Sequence, residues 1–212
     1  MPLFTSTPIK AYVFDAYGTL FDVHSAVMRH EGEIGPQAES FSALWRLKQL
    51  EYSWILSLAG RFSDFWTLTE RALDYAFACH PGVDRTLRQK LLAAYRELDA
   101  YPEVPAALRR LRARGVRTAI LSNGEPSMLA DAVASAGLGG LLDEVFSVSS
   151  VGVFKTAPRA YAQLLGPLDA KPKEIAFVSS NRWDIAGAAA FGLTPVWVNR
   201  SGAPDEYQDL AP

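Results

Sequence analysis

Short, almost uninterrupted apolar segments recur along this chain and constrain its fold more than any other feature. Four are predicted to be strands: Ala11–Phe14, Thr118–Leu121, Ile175–Val178 and Pro195–Val198. Glu144–Val148 is a fifth candidate. Strands without polar alternation are typical of parallel sheets that are covered by helices on both faces. The pattern therefore predicts a buried parallel sheet.

Helical patterns separate these strands from residue 100 onward. The predicted helices are Val104–Arg114, Pro126–Ala136, Pro158–Leu165 and Trp183–Phe191. Strands and helices that alternate, joined by right-handed crossovers, form doubly wound sheets. The predicted fold class is α/β, with a doubly wound parallel-sheet, Rossmann-like core.

Residues 22–99 differ in kind, because they contain helical patterns and no convincing strand. One helix is predicted to begin at Ser40 as its N-cap and to reach Leu58, and two more cover Phe65–Ala78 and Leu87–Asp99. We expect this all-helical insert to cap the C-terminal edge of the sheet. The predicted domains are a core of residues 1–21 and 100–212 and a cap of residues 22–99.

Composition excludes several classes of protein. The net charge of -2 gives no electrostatic reason to expect binding to nucleic acid or to an acidic membrane surface. The single cysteine, Cys79, excludes an internal disulfide and a multi-cysteine zinc site. No apolar run approaches the roughly 20 residues that span a bilayer, and residues 1–6 lack the features of a secretory signal. We expect a cytoplasmic protein.

Polar residues follow the predicted strands at the points where chemistry is expected. Asp15 follows the first strand, and the other segments are Ser122–Gly124, Phe154–Lys155 and Ser179–Asp184. The carboxyl ends of parallel strands meet at one crevice, where α/β sheets bind ligands. The sequence therefore predicts one site that contains two carboxylates, a lysine, and hydroxyl and amide donors.

The residue two positions after Asp15 limits the leaving group. A phosphate-transferring site of this pattern would need a second aspartate there, to protonate the leaving oxygen. This chain has Tyr17 at that position. A nucleophile without a neighbouring acid suits a leaving group that needs no proton, and halide is such a group.

These motifs resemble those of the haloacid dehalogenase superfamily, specifically its L-2-haloacid dehalogenase branch. The matching segments are Phe14–Val23, Leu121–Gly124, Lys155 and Phe177–Asp184, with Leu44–Trp54 in the predicted cap. The resemblance covers nearly the whole chain in order. Departures occur at Thr156 and Ala157, where proline followed by aspartate or histidine is usual, and at Arg182, where a small residue is usual.

The resemblance implies hydrolysis of (S)-2-haloalkanoic acids to (R)-2-hydroxyalkanoic acids through an ester on Asp15, with inversion. Lys155 would keep Asp15 ionised. Asp184 would orient and activate the hydrolytic water together with Thr19, Ser179 and Asn181. The implied catalytic residues are Asp15, Thr19, Arg46, Lys155, Ser179, Asn181 and Asp184.

The resemblance also implies how substrate is bound. Ser122 and the backbone N–H groups of Ala16 and Tyr17 would hold the substrate carboxylate. Arg46, Asn123 and Trp183 would hold the departing halide. Tyr17, Leu50 and Trp54 would surround the alkyl group, and Tyr161 would brace Lys155 or Asp184. The implied substrate-binding residues are Ala16, Tyr17, Arg46, Leu50, Ser122, Asn123, Tyr161 and Trp183.

Three alternatives stay open at this point. A magnesium-dependent phosphatase of the same superfamily would use Asp15 as nucleophile and metal ligand, although no second carboxylate adjoins Asp184 and Mg²⁺ with phosphate prefers more than one. A non-catalytic binding protein and a fluoroacetate-specific enzyme are the others. We expect no metal and no cofactor, a small 2-haloacid substrate with a halide product, and, by family likeness, a homodimer.

Overall fold

The computed structural model describes residues 8–212. Its sheet contains β1 (Ala11–Phe14), β2 (Arg117–Ser122), β3 (Glu144–Ser147), β4 (Ile175–Ser179) and β5 (Thr194–Trp197). All pairings are parallel, and the strand order is β3-β2-β1-β4-β5. The five predicted strands are therefore present, and the predicted α/β class is confirmed. The sequence prediction for residues 1–6 lies outside the described residues.

Helices surround the sheet and form the inserted segment. The α-helices are α1 (Ser25–Met28), α2 (Glu31–Ile34), α3 (Ala38–Leu58), α4 (Phe65–Cys79), α5 (Arg88–Arg96), α6 (Val104–Ala113), α7 (Pro126–Ser135), α8 (Pro158–Ala162), α9 (Leu165–Leu168) and α10 (Arg182–Phe191). Short 3-10 helices cover Arg85–Leu87, Gly139–Leu141, Val148–Ser150, Pro172–Glu174 and Gln208–Leu210. Within residues 8–212, no helix has the length and apolar character needed to cross a membrane.

The order of the strands decides which residues can meet. β1 is the central strand, and Phe14 at its end lies between Ile120 of β2 and Val178 of β4. α10 packs on β4 and β5, while α6 packs on β2. The chain that leaves β1 therefore emerges between the ends of its two neighbours, β2 and β4, as expected for a switch point in a doubly wound sheet.

The long helix α3 carries the inserted segment on one buried face. Phe41, Trp45, Gln49 and Ser53 are buried at intervals of four residues, as the helical period requires. Two polar groups on this face have hydrogen-bond partners on α4. Trp45 Nε1 donates to the carbonyl of Thr69 at 2.9 Å, and Gln49 Nε2 donates to the hydroxyl of Thr69 at 3.0 Å. α3 and α4 thereby form a fixed pair.

Three helix predictions were wrong at their ends. The helix predicted over Leu87–Asp99 begins at Arg88, after a 3-10 turn, and ends at Arg96. α3 begins at Ala38, so Ser40 lies inside its first turn and donates to the carbonyl of Gln37 instead of capping the helix. The helix predicted over Pro158–Leu165 ends at Ala162, and a separate short helix follows. Pro167 explains this break, because proline cannot donate the backbone hydrogen bond that a continuous helix would need there.

The two connections between the sheet and the inserted helices run side by side. Phe21 and Ala100 form an isolated antiparallel bridge, and Asp22 N donates to the carbonyl of Asp99 at 2.8 Å. We propose that the domains divide at this bridge, with residues 22–99 as the cap. Cap and core also meet through Phe154 N, which donates to Ser57 Oγ at 3.1 Å.

Candidate active site

Asp15 lies directly after β1, and four side chains hold its buried carboxylate. Oδ2 accepts from Asn181 Nδ2 at 2.7 Å, Thr19 Oγ1 at 2.9 Å and Ser179 Oγ at 3.2 Å. Oδ1 accepts one bond among the described residues, from Lys155 Nζ at 3.1 Å. Because three donors saturate Oδ2, the two oxygens have different chemistry: Oδ1 is the one with a free lone pair.

The direction of two of these hydrogen bonds is fixed by backbone N–H groups. The N–H of Ser180 donates to Thr19 Oγ1 at 2.9 Å, and the N–H of Asn181 donates to Ser179 Oγ at 3.0 Å. Each hydroxyl therefore uses its acceptor capacity on the backbone and its proton on Asp15. These residues were predicted to orient water, but their donors point at the carboxylate.

Lys155 lies between two carboxylates. Its Nζ is 3.1 Å from Asp15 Oδ1 and 2.7 Å from Asp184 Oδ2, and its side chain is only 1% exposed. Tyr161 Oη donates to Asp184 Oδ1 at 2.7 Å. Burial raises the pKa of Asp184 to about 6, Lys155 opposes the rise, and the charge of Asp15 adds to it. Such a pKa suits a proton acceptor near neutral pH.

Lys155 reaches this position through a loop, and not directly from a strand end as the sequence suggested. β3 ends at Ser147, and the 3-10 helix Val148–Ser150 and a turn intervene. The backbone N–H of Lys155 donates to Asn123 Oδ1 at 3.0 Å, which ties the loop to the end of β2. The bond uses the amide oxygen of Asn123, so its NH₂ group is available to the site.

A small cavity of about 10 Å³ adjoins Asp15. It is lined by Asp15, Tyr17, Arg46, Leu50, Phe65, Ser122, Asn123 and Trp183. Room of this size suits about one water, so a larger ligand would need the lining side chains to move. Arg46 is held from the cap side, where Nη2 donates to the carbonyl of Tyr17 at 3.1 Å. Ser122 Oγ accepts from Gly124 N at 3.1 Å, which leaves its proton for a ligand.

Two predicted placements differ from the structure. Tyr161 is fully buried behind Asp184 and does not line this cavity, so it braces Asp184 and has no direct access to substrate. Trp54 packs edge-on against Trp183, with ring centroids 5.5 Å apart, and does not line this cavity. Ala16, for which a backbone role was predicted, is fully buried.

Phe65 is a lining residue that the sequence reasoning missed. It begins α4, and its N–H donates to Glu125 Oε1 at 3.0 Å, so a core residue fixes it over the site. An apolar residue at the start of a helix gives no signal of this role.

Arg182, one of the departures from the family pattern, points away from the site. Nε donates to Asp205 Oδ1 at 2.5 Å, and Nη2 donates to the carbonyls of Tyr207 at 2.6 Å and Leu210 at 3.1 Å. The guanidinium therefore anchors the C-terminal segment. The other departure, Thr156, lies beside Gly187 of α10.

Known proteins resemble this chain in sequence and in fold. Residues 9–192 match the family described as haloacid dehalogenase-like hydrolase. The chain is 50% identical to (S)-2-haloacid dehalogenase 1 of Pseudomonas sp. (strain CBS-3), over 94% of this chain and 88% of that protein. A crystal structure of a dehalogenase superposes with a TM-score of 0.93 at 45% identity, covering 95% of this chain and 90% of the other.

A further solved structure bears on the chemistry. The L-2-haloacid dehalogenase of Xanthobacter autotrophicus, with chloropropionic acid covalently bound, superposes with a TM-score of 0.84 at 42% identity, over 91% of this chain and 78% of that one.

The chain belongs to the haloacid dehalogenase-like hydrolases. Within that family its relatives assign it to the (S)-2-haloacid dehalogenases, and the predicted enzyme class, a hydrolase acting on carbon–halide bonds, is confirmed.

Proposed function

We propose that the chain converts (S)-2-haloalkanoic acids into (R)-2-hydroxyalkanoic acids in two steps, through an ester on Asp15. The observation that carries the proposal is the asymmetry of the Asp15 carboxylate: Oδ2 is held by three donors and Oδ1 keeps a free lone pair. The covalently bound chloropropionic acid in the Xanthobacter autotrophicus enzyme supports an intermediate of this kind.

In the first step Oδ1 attacks C2 from the side opposite the halogen. The Oδ1–C2 bond forms while the C2–halogen bond breaks, and the electron pair leaves with the halide. Arg46, Asn123 and Trp183 line the cavity and would stabilise charge that develops on the halide in the transition state. One backside displacement inverts C2, which converts the (S) substrate into the (R) configuration.

The substrate carboxylate would bind at the turn after β1. Ala16 and Tyr17 are buried, and no hydrogen bond found among residues 8–212 uses their backbone N–H groups. Buried N–H groups normally have partners. Together with the hydroxyl of Ser122, these two groups form an anion site next to the nucleophile.

In the second step water attacks Cγ of the ester and its proton passes to Asp184. The developing oxyanion is then Oδ2, already held by Asn181, Thr19 and Ser179 at hydrogen-bond distance. Preorganised donors of this kind act on the barrier. Collapse of the intermediate breaks the Cγ–Oδ1 bond and releases the hydroxyacid, whose new hydroxyl takes the proton held by Asp184. The carboxyl group left on Asp15 loses the second proton of the water to solvent, which regenerates the carboxylate.

The magnesium-dependent phosphatase fits the residues poorly. The ammonium group of Lys155 already lies between the two carboxylates, where a divalent ion would have to bind. The carbonyl of Tyr17 accepts from Arg46 and Asn181. Among residues 8–212, no three His, Cys, Asp or Glu side chains are grouped so as to hold a metal ion.

The test is turnover of each enantiomer of 2-chloropropionate in the presence of EDTA. We expect chloride and (R)-lactate from the (S) form only, and no turnover by Asp15→Asn, with the exposed Asp209→Asn as matched control. One turnover in ¹⁸O-water should label Asp15 and leave the lactate unlabelled. Turnover of the (R) form, or EDTA-sensitive release of phosphate from p-nitrophenyl phosphate without dehalogenation, would refute the proposal.

The homodimer and the cytoplasmic location remain predictions. The α3 side chains of Leu47, Ile55 and Leu58 are exposed along one side of the helix and offer an apolar contact surface for a second copy. Sedimentation of the wild type against Ile55→Glu tests this: a dimer that persists unchanged in the variant excludes this surface.

A further inference from the structure

A side chain at Gly187 of α10 would meet the residues that surround Asp184. Gly187 lies three residues after Asp184, on the same face of the helix. A Cβ atom at Gly187 would be 2.5 Å from Tyr161 Oη and 2.7 Å from both Cβ and Cγ2 of Thr156. By contrast, Gly166 in α9 has no neighbour within 4 Å of such an atom.

Tyr161 has little freedom to avoid a new side chain. Its ring is fully buried, meets Phe177 edge-on at 5.6 Å and stacks on Phe191 at 5.9 Å. Its hydroxyl donates to Asp184 Oδ1 at 2.7 Å. Because the ring is enclosed on these sides and Gly187 moves with Asp184, a methyl group at position 187 must separate the hydroxyl from the carboxylate.

We propose that Gly187 is a positioning residue for ester hydrolysis: the absence of its side chain allows Tyr161 to hold Asp184. The inference rests on the proposed function, in which Asp184 takes the proton of the hydrolytic water. The atoms that a Cβ at Gly187 would meet belong to Tyr161 and Thr156, and neither side chain acts in the first step. The glycine therefore acts on the second step alone.

We expect Gly187→Ala to slow ester hydrolysis and to leave ester formation unchanged. With (S)-2-chloropropionate, halide should still appear as a burst of about one equivalent per site, while ester hydrolysis slows roughly tenfold to hundredfold, the loss expected for a hydrogen bond to a charged group. Quenched samples should then show the enzyme carrying the propionate ester by intact mass. Gly166→Ala is the matched control and should behave as wild type.

A pH profile separates positioning from general loss of structure. Burial raises the pKa of Asp184, and the Tyr161 hydroxyl is one of the groups that lower it, with Lys155 acting in the same direction and Asp15 against it. Gly187→Ala and Tyr161→Phe should both move the acid limb of ester hydrolysis to higher pH. A variant that is merely less stable would keep the wild-type midpoint.

The double variant of Gly187→Ala with Tyr161→Phe tests whether the alanine acts through the Tyr161 hydroxyl. In a Tyr161→Phe background the alanine no longer meets the hydroxyl, so its effect on hydrolysis should be much smaller than in wild type. The same fold-loss in both backgrounds overturns the proposal and points to Thr156. If Gly187→Ala does not fold, a folded double variant supports the hydroxyl clash, and an unfolded double variant refutes it.

These outcomes are distinct from failure of the proposed function. A wild-type enzyme without a halide burst or an ester overturns the function itself. A wild-type enzyme with both, beside a Gly187→Ala enzyme that hydrolyses its ester at the wild-type rate, overturns only the role of Gly187.

Discussion

Replacing Lys155 with methionine tests whether one buried cation holds two carboxylates in the fold. Its ammonium is 3.1 Å from Asp15 and 2.7 Å from Asp184, and all three side chains are at most 7% exposed. Methionine keeps most of the apolar volume but leaves the carboxylates without their counter-charge. Removing one partner of a buried pair costs about 3–5 kcal/mol, which for a chain of this size lowers Tm by roughly 6–20 °C.

The measurement is urea unfolding of Lys155→Met beside the exposed control Lys173→Met. Because Lys155 lowers the pKa of Asp184 from a value that burial raises, the variant should have an Asp184 pKa above about 6. A carboxyl group whose folded pKa is raised stabilises the fold at low pH and loses that contribution as pH rises through the folded pKa. The deficit relative to wild type should therefore be larger near pH 8 than near pH 5.

A second substitution provides the decisive comparison. In the Lys155→Met background, Asp184→Asn removes one uncompensated charge and should recover part of the lost free energy of unfolding, so the two changes are not additive. The reasoning is refuted if Lys155→Met loses no more stability than Lys173→Met, or if the second substitution adds its full cost to the first.

Three other expectations follow from the site. Asn181→Ala removes the shortest donor on the nucleophilic carboxylate, so ester hydrolysis should slow about 10²–10³-fold and the ester should accumulate in quenched-flow samples. Gly124→Ala would place a Cβ 2.6 Å from Tyr17 Cε2 and should raise KM for 2-chloropropionate, whereas Gly139→Ala, with open space, should not. The rate of ester hydrolysis should fall about tenfold per pH unit once Asp184 is protonated, with a midpoint no higher than about 6; a midpoint above that value would contradict its role.

The sheet was predictable because its signal is local. A buried parallel strand must be apolar on both faces, and the segments Ala11–Phe14 and Ile175–Val178 meet that requirement within a few residues. Placing Asp15 and Ser179 together needed only the rule that adjacent parallel strands end at one edge. Helix ends were less predictable, since Ser40 has the residue type of a cap but lies one turn too late.

The orientation of side chains within the site was not predictable, because it depends on packing between distant segments. Tyr161 faces Asp184 because Phe177 and Phe191 hold its ring, and nothing near it in sequence indicates that. Phe65 lines the cavity, and its backbone N–H is held by Glu125, a core residue far away in sequence. The family resemblance predicted which residues form the site. It took the structure to show the division between the groups that bind Asp15 and the groups that bind Asp184.

That division gives the site a charge balance that changes during the proposed cycle. In the free enzyme Asp15 and Asp184 share one lysine, and the charge of Asp15 contributes to the raised pKa of Asp184. Ester formation neutralises Asp15, so the lysine then faces a single carboxylate and the contribution of Asp15 to that pKa disappears. Asp184 is consequently ionised in the ester, the state in which it must accept a proton from water. In the proposed cycle the first chemical step thus prepares the base for the second.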